Sequence, residues 1–340
     1  MKTIVLEQPG AFRRTDTAPP SAAGAGEALV RVHRVGICGT DLHAYQGNQP
    51  FFSYPRILGH ELGVEIMELG AGAPAHLAVG DICAVEPYLH CGHCQACRAG
   101  KTNCCESLAV LGVHVDGGMR ELITVPADKL HPAPGVSVDH LALVEMLCIG
   151  AHAVRRAALT PGENVLVIGA GPIGLSVMQY AQLAGASITV LEISQRRLDF
   201  CRSQLRIAHA VDPRGDVAAQ LRQLLGGDLP STVFDATGNV NSMNQSFEYV
   251  AHGGKLVLVG LVQAEITFHD PHFHRRELTL LSSRNAARED FAHVIRSIRE
   301  GQVHLDPWIT HRAGPDELVG EFGSWLKPET GVVKAMLEFD

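Results

Sequence analysis

No apolar run in this sequence approaches the roughly 18 residues that a membrane-spanning helix needs, so no membrane partner is expected. The opening, MKTIVLEQPG, carries one lysine and only a short apolar run, too little for the core of an export signal. A basic excess is lacking too. The formal net charge is −8, which offers no electrostatic footprint for nucleic acid. Repeats, low-complexity tracts and long charge runs are absent. Charged residues make up 19% of the chain against 46% hydrophobic ones, which excludes a disordered protein and describes a packed globular one. With no export signal, the expected compartment is the reducing cytoplasm. Cysteines there are metal ligands or free thiols before they are disulfides, and the odd total of nine agrees with that.

At 340 residues the chain is too long for one ordinary core and implies roughly two domains. Residues 1–150 are rich in glycine, proline and short alternating runs such as ALVRVHRVGI, LGVEIMEL and DICAVEP. Such runs between turn residues predict a β-rich, partly barrel-like unit. From about residue 151 the texture changes. ENVLVIG, SITVLEIS, STVFDATG, GKLVLVG and LTLLSS are compact apolar strands, with helix-like segments such as PIGLSVMQYAQLAG between several of them. That alternation predicts βαβ units and a parallel sheet over 151–289. The remainder, 290–340, reads as a helix and a closing strand.

HCGHCQACRAGKTNCC, residues 90–105, holds five of the nine cysteines. Cys91, Cys94 and Cys97 follow a C-x2-C-x2-C spacing, with Cys104 or Cys105 as a fourth thiol. Four thiolates close a tetrahedral zinc cage and leave no position for substrate or water. The lobe 90–106 is therefore expected to be structural, its metal binding coupled to folding. An iron–sulfur run also opens C-x2-C-x2-C, but its fourth cysteine follows after three residues with proline behind it. RAGKTNCCE meets neither condition.

NVLVIGAGPIG places Gly169, Gly171, Pro172, Ile173 and Gly174 between a strand at Asn164–Ile168 and a helix. Glu192 ends the following strand, 18 residues past Gly174. In that context the GxGxxG is a dinucleotide fingerprint: the glycines let backbone amides approach a pyrophosphate at the positive end of the helix. Glu192 can accept from ribose hydroxyls and would repel a 2′-phosphate, which favours NAD over NADP. Arg196 and Arg197 follow closely and can tolerate that phosphate.

A second metal site is offered by GICGTDLHAYQG and PRILGHELG, with Cys38, Thr40, His43, His60 and Glu61, and by Glu145 in LALVEMLCIG. A catalytic zinc takes about three protein ligands and keeps one exchangeable position. Cys38, His60 and one or both of Glu61 and Glu145 can supply them. The plainer reading is a surface pair, His60 and Glu61, with Cys38 as a small core residue.

Over essentially its whole length the sequence resembles the zinc-containing medium-chain dehydrogenases of the alcohol, sorbitol and threonine dehydrogenase type. The motifs that carry the resemblance are GICGTDLH, GHE, LAVGDICAVEP, CGHCQACRAGKTNCC, the glutamate of LVEM, and GAGPIG. It implies a GroES-like catalytic domain over 1–150 and 290–340 and a Rossmann domain over 151–289. It implies two zinc ions per chain. Cys38, His60 and Glu61 would ligate the catalytic one, Glu145 would reach it directly or through water, and Cys105 would complete the lobe. It also adds Thr237, Val259, Gly260, Leu261, Ser283 and Arg284 to the cofactor-binding set. Two departures stand out: glycine is at position 63 and Val64 stands where the family has it, and Met146 replaces the proline after the LVE glutamate.

The activity so implied is transfer of hydride from a secondary alcohol to NAD, with zinc as Lewis acid and a proton path through Thr40 and His43. His43 as a merely exposed histidine is the alternative. The texture of GNQPFFSYPRILGHE, GVHVDGG and SRNA resembles bacterial dehydrogenases of hexonates, the L-galactonate and L-idonate 5-dehydrogenases. A sugar-acid carboxylate needs a cation, for which Arg284 or Arg56 can serve. Neutral polyols such as sorbitol, xylitol or galactitol come next as substrates, then threonine. A zinc-stabilised binding protein without turnover is the alternative from another class. Zinc-free quinone reductases of the same fold lack GHE and the thiol lobe. A homo-oligomer, tetramer before dimer, is the expected assembly.

Overall fold

In a computed structural model, which describes residues 1–50 and 52–339, the chain divides into two compact units, Met1–Glu145 with Ala287–Asp340, and Met146–Ala286.

The first unit is built on a seven-stranded sheet. Its path runs Ile309–Ala313, Lys334–Glu338, Glu27–Gly36, Glu61–Leu69, Ile82–Val85, Leu130–Pro132, and Leu122–Pro126 also pairs with Glu27–Gly36. Along Glu27–Gly36 the residues Ala28, Val30 and Val32 are buried and Arg31 is exposed, the period-two pattern of a strand with one face in the core. The register shifts between Val32 and Arg34, as at a bulge that re-aims the side chains beyond it. Past that shift Gly36 lies opposite Glu61 on one side and Met336 on the other. Core residues of this unit include Ile4, Leu6, Val30, Val35, Leu62, Ile66 and Leu337.

Gly63 shows why glycine stands there and Val64 follows. A Cβ on Gly63 would come within 2.3 Å of the Val138 carbonyl oxygen, whereas the Val64 side chain is fully buried in the core. The backbone of helix Val138–Leu141 packs directly on the strand at position 63.

The second unit is a six-stranded, all-parallel sheet in the order His209–Val211, Ser187–Leu191, Asn164–Ile168, Thr232–Asp235, Lys255–Leu258, Thr279–Ser282. The strand order reverses between Asn164–Ile168 and Thr232–Asp235, the point beside which such sheets bind ligands. All five apolar runs read as strands are strands, and the expected β-rich unit and parallel-sheet unit are both present. His209–Val211 was not legible, being three residues long and half exposed. The closing segment holds the expected helix, Arg288–Arg299, and strand, Lys334–Glu338. Between them lie a strand, Ile309–Ala313, and a helix, Pro315–Glu321, that the sequence pattern did not announce. No helix among the described residues is long and apolar enough to cross a membrane.

Candidate functional site

Cys38 caps the helix Gly39–Gln46, its backbone amide donating to Asp41 Oδ2 at 2.9 Å. Strand Glu61–Leu69 begins with Glu61, preceded by His60. The ligand atoms of Cys38, His60 and Glu61 all lie within 4.8 Å of one another. Glu145, in the first turn of helix Val144–Ala157, is not in that group. Its carboxylate accepts a hydrogen bond from the buried Tyr88 hydroxyl.

Glu61 is 0% exposed and Lys334 is 2% exposed. The Lys334 ammonium donates to Glu61 Oε1 at 2.8 Å, to Glu61 Oε2 at 2.7 Å and to the Ile37 carbonyl at 2.9 Å. Burial disfavours that ammonium, yet the charges of Glu61 and Cys38 outweigh it and hold the Lys334 pKa above its ordinary value. Burial acts the other way on Asp41 and Glu145 and raises both, against the lowering pull of His60. At His60 burial lowers the pKa, but Asp41 and Cys38 reverse it and leave the imidazole well above its usual range. A bound cation would instead take the neutral imidazole and the thiolate.

Two buried atoms at this site make no hydrogen bond, His60 Nδ1 and Asp41 Oδ1, which stand 3.8 Å apart. Orphaned buried polar atoms beside a thiol, an imidazole and a carboxylate are what a metal site leaves when its ligands are arranged in advance. Sulfur, nitrogen and oxygen donors in one set suit zinc. The residues fit the ion.

The thiols of Cys91, Cys94, Cys97 and Cys105 form a second such group, again within 4.8 Å of one another. Backbone amides point at the sulfurs: Cys91 N lies 3.3 Å from Cys105 Sγ and Cys94 N lies 3.3 Å from Cys91 Sγ. Backbone donors, those of Cys97 and Glu106, pull the Cys94 thiol down to about 6, whereas burial and the neighbouring thiols push Cys97 up to about 12. Ionising all four therefore calls for a countercharge, and a divalent cation supplies it. Cys105 is buried and belongs to the group; Cys104 is exposed and does not.

In the second unit Gly171 caps helix Pro172–Leu183, with Pro172 and Ile173 opening it. A Cβ on Gly174 would stand 1.9 Å from the Gly169 carbonyl, so strand and helix touch backbone to backbone there. Glu192 is buried and accepts from the amides of Ala170 at 2.7 Å and Ser194 at 2.8 Å, with Arg197 Nη1 3.9 Å away. Both carboxylate oxygens are thus aimed by backbone donors, and each retains a lone pair. Thr237 donates through its amide and hydroxyl to Asp235 Oδ1, and the amides of Val259 and Gly260 donate to the Asp235 carbonyl. Leu261 is exposed, the Ser283 hydroxyl is buried without a partner, and Arg284 is exposed just past strand Thr279–Ser282.

Thr40 and His43 share a face of helix Gly39–Gln46, one turn apart. His43 is exposed, with Nδ1 3.2 Å from Asn48 Oδ1. Arg56 donates to Ser53 Oγ at 2.8 Å and pairs with Asp116 at 3.3 Å.

Four residues at these sites escaped the sequence reading: Asp41, Tyr88, Lys334 and Asp235. Asp41 had a signal, an acid three residues after a helix-capping position. Lys334 had a fainter one, a lone charge inside the apolar run VVKAML.

Residues 24–135 match the alcohol dehydrogenase GroES-like domain, and residues 172–300 match the zinc-binding dehydrogenase family. The L-galactonate-5-dehydrogenase of Escherichia coli strain K12 is 46% identical over 315 residues, covering 92% of this chain and 91% of that one. A 2-dehydro-3-deoxy-L-galactonate 5-dehydrogenase of Pseudoalteromonas atlantica is 33% identical over 85% of each chain. Among solved structures, the alcohol dehydrogenase RspB of Escherichia coli CFT073, complexed with NADH, has a TM-score of 0.92 at 29% identity, covering 100% of this chain and 99% of the other. The chain therefore belongs to the zinc-binding, GroES-like alcohol dehydrogenases, oxidoreductases that act on CH–OH groups.

Proposed function

We propose that this protein oxidises a secondary hydroxyl of a hexonate of the L-galactonate or L-idonate type, with NAD as hydride acceptor. The observation that carries the reading is the clustering of a half-buried Cys38 with the buried His60 and Glu61 in a chain 46% identical to an L-galactonate-5-dehydrogenase. The unit Met1–Glu145 with Ala287–Asp340 holds the catalytic zinc on Cys38, His60 and Glu61, and a second, structural zinc on Cys91, Cys94, Cys97 and Cys105. The unit Met146–Ala286 takes the dinucleotide.

The chemistry that zinc supplies at such a site is Lewis-acid polarisation of a hydroxyl, and NAD supplies the acceptor for hydride. The chain does the rest. Asp41, 3.8 Å from His60 Nδ1, orients the imidazole, as carboxylates beside ligating histidines do. Thr40 would accept the substrate hydroxyl proton while passing on its own, by way of the ribose of the dinucleotide, to His43, at the exposed end of the same helix face, which would release it to water. The amides that follow Gly169 cradle the pyrophosphate, and Glu192 receives the ribose hydroxyls. Thr237, Val259, Gly260, Leu261 and Ser283 line the rest of the dinucleotide path. A homo-oligomer, a tetramer in the cytoplasm, is the form proposed. The edge strand Thr279–Ser282, with Leu280 38% exposed, is a surface that a second copy can cover.

Arg284 is the proposed partner of the substrate carboxylate. A neutral polyol is the second reading, favoured by one observation: Arg56, the other candidate cation, is already paired with Asp116. NAD reduction across hexonates, polyols and amino alcohols separates the two. A hexonate should lead by a large factor in kcat/KM, because a site built to pair one polar group can discriminate by about 10⁴-fold, and Arg284→Ala should erase much of the gap. Sorbitol or xylitol turned over as well as the best hexonate would overturn the sugar-acid reading.

A further inference from the structure

Lys334 has no part in the ligand set above, yet it is the most committed side chain at the site. We infer that Lys334 is a positioning residue that keeps Glu61 the weakest and most displaceable ligand of the catalytic metal. The inference rests on the metal site proposed above and goes one step beyond it.

An ammonium has three hydrogens, and Lys334 places all three: on Glu61 Oε1, on Glu61 Oε2 and on the Ile37 carbonyl. The bond to Ile37 fixes the ammonium to the strand that leads into Cys38, so it does not follow the carboxylate if Glu61 turns. Each carboxylate oxygen offers about two acceptor positions. The lysine occupies one on each, and the others remain for a cation. Glu61 can therefore reach the metal only while sharing its charge with an ammonium in van der Waals contact, in a place where no water screens either group.

Cys38 and His60 carry no comparable burden. Lys334 places its three hydrogens on Glu61 and the Ile37 carbonyl and none on the Cys38 sulfur, which feels the ammonium only as a neighbouring charge, and His60 faces Asp41, which strengthens an imidazole as a ligand. One ligand of three is thus neutralised from behind while a second is reinforced. That asymmetry supplies what a catalytic site needs and a structural cage lacks, a position that opens when substrate arrives. Among the described residues no lysine or arginine donates a hydrogen bond to the sulfurs of the thiol lobe, whose donors include backbone amides.

The test is zinc affinity of the full chain, by chelator competition with the lobe loaded, joined to the visible absorption of the cobalt-substituted site. Lys334→Met and Lys334→Gln remove the charge, the glutamine keeping a donor for Ile37. Each should bind the catalytic metal about tenfold more tightly, the size of a second-sphere effect. The cobalt spectrum should move toward firmer four-coordination, and Lys334→Arg should stay near wild type. In a Glu61→Gln background the same substitutions should change nothing, because the effect passes through that carboxylate. Glu61→Gln alone should cost far less affinity than His60→Ala, a comparison that holds even if neither neutral variant folds. Weaker or unchanged binding in Lys334→Gln, persistence of the effect without Glu61, or equal losses in Glu61→Gln and His60→Ala would each overturn the inference. Wild-type protein that takes up metal in the lobe alone sinks the site itself, and metal stoichiometry tells the two failures apart.

Discussion

Gly36 and Glu61 face one another across paired strands, and a Cβ on Gly36 would stand 2.2 Å from Glu61 Oε2 and 3.1 Å from the Ala142 carbonyl. The carboxylate fits only because the residue opposite has no side chain. Gly36→Ala should push Glu61 out of reach of Cys38 and His60 while leaving the rest of the sheet paired. A displacement near 1 Å at a reacting centre costs about 10²-fold in rate, so kcat should fall by about that factor with little change in thermal midpoint. Wild-type activity in Gly36→Ala would show that Glu61 does not need its present position.

The two metal sites should differ in how they release zinc. On the proposed assignment four thiolates would enclose a lobe metal, whereas Cys38, His60 and Glu61 would leave a position of theirs open to a chelator. Mild chelation should abolish activity and leave about one zinc per chain in folded protein. Cys104→Ser should keep both metals, and Cys105→Ser should lose the lobe metal and lower the melting temperature, since binding energy there is folding energy. The opposite pattern for the two cysteines, read by metal analysis, would move the fourth ligand to Cys104.

These groupings were unequally legible in the sequence, for a physical reason. The lobe thiols lie within fifteen residues of one another, and the glycine turn lies between a strand and its helix, so local spacing nearly dictates both. Cys38 and His60 needed long-range pairing of strands, and motif chemistry stood in for it. Lys334 was invisible because it meets Glu61 across 273 residues of chain, and only the register of the closing strand brings it there. Glycine at 63 looked like a departure near the metal. Its cause is the helix backbone at Val138, which no pattern in strand Glu61–Leu69 reveals.

Glu192 should set the choice of dinucleotide. Its oxygens are fixed by the amides of Ala170 and Ser194, so the carboxylate meets an incoming ribose in one orientation. Glu192→Ala removes an acceptor for the ribose hydroxyls and a charge that repels a 2′-phosphate, and it leaves Arg197 beside the site. The ratio of kcat/KM for NAD to that for NADP should shrink at least tenfold, with most of the change in KM. A wild-type enzyme that prefers NADP would refute the assignment outright.

The buried trio of Glu86, Lys129 and His131 should govern stability in acid. Lys129 Nζ donates to Glu86 Oε1 and lies 2.9 Å from His90 Nδ1, while His131 Nε2 is 3.3 Å from Glu86 Oε2 and its ring stacks on Phe291. Burial opposes ionisation of Glu86, but the hydrogen bond of His131 and the charge of Lys129 prevail and hold its pKa below the ordinary 4.5. A carboxyl lowered in the folded state contributes stability above its unfolded pKa, and that contribution is lost as pH falls through the folded value. Glu86→Gln leaves the Lys129 charge buried without its partner, which costs about 3–5 kcal/mol. The urea midpoint at neutral pH should therefore drop sharply in the variant. Between about pH 5 and pH 3, where carboxylates shift protons on unfolding, the variant should lose less further stability than the wild type. If the two proteins keep a constant difference in midpoint across that range, Glu86 does not titrate against folding, and the acid sensitivity belongs to other carboxylates.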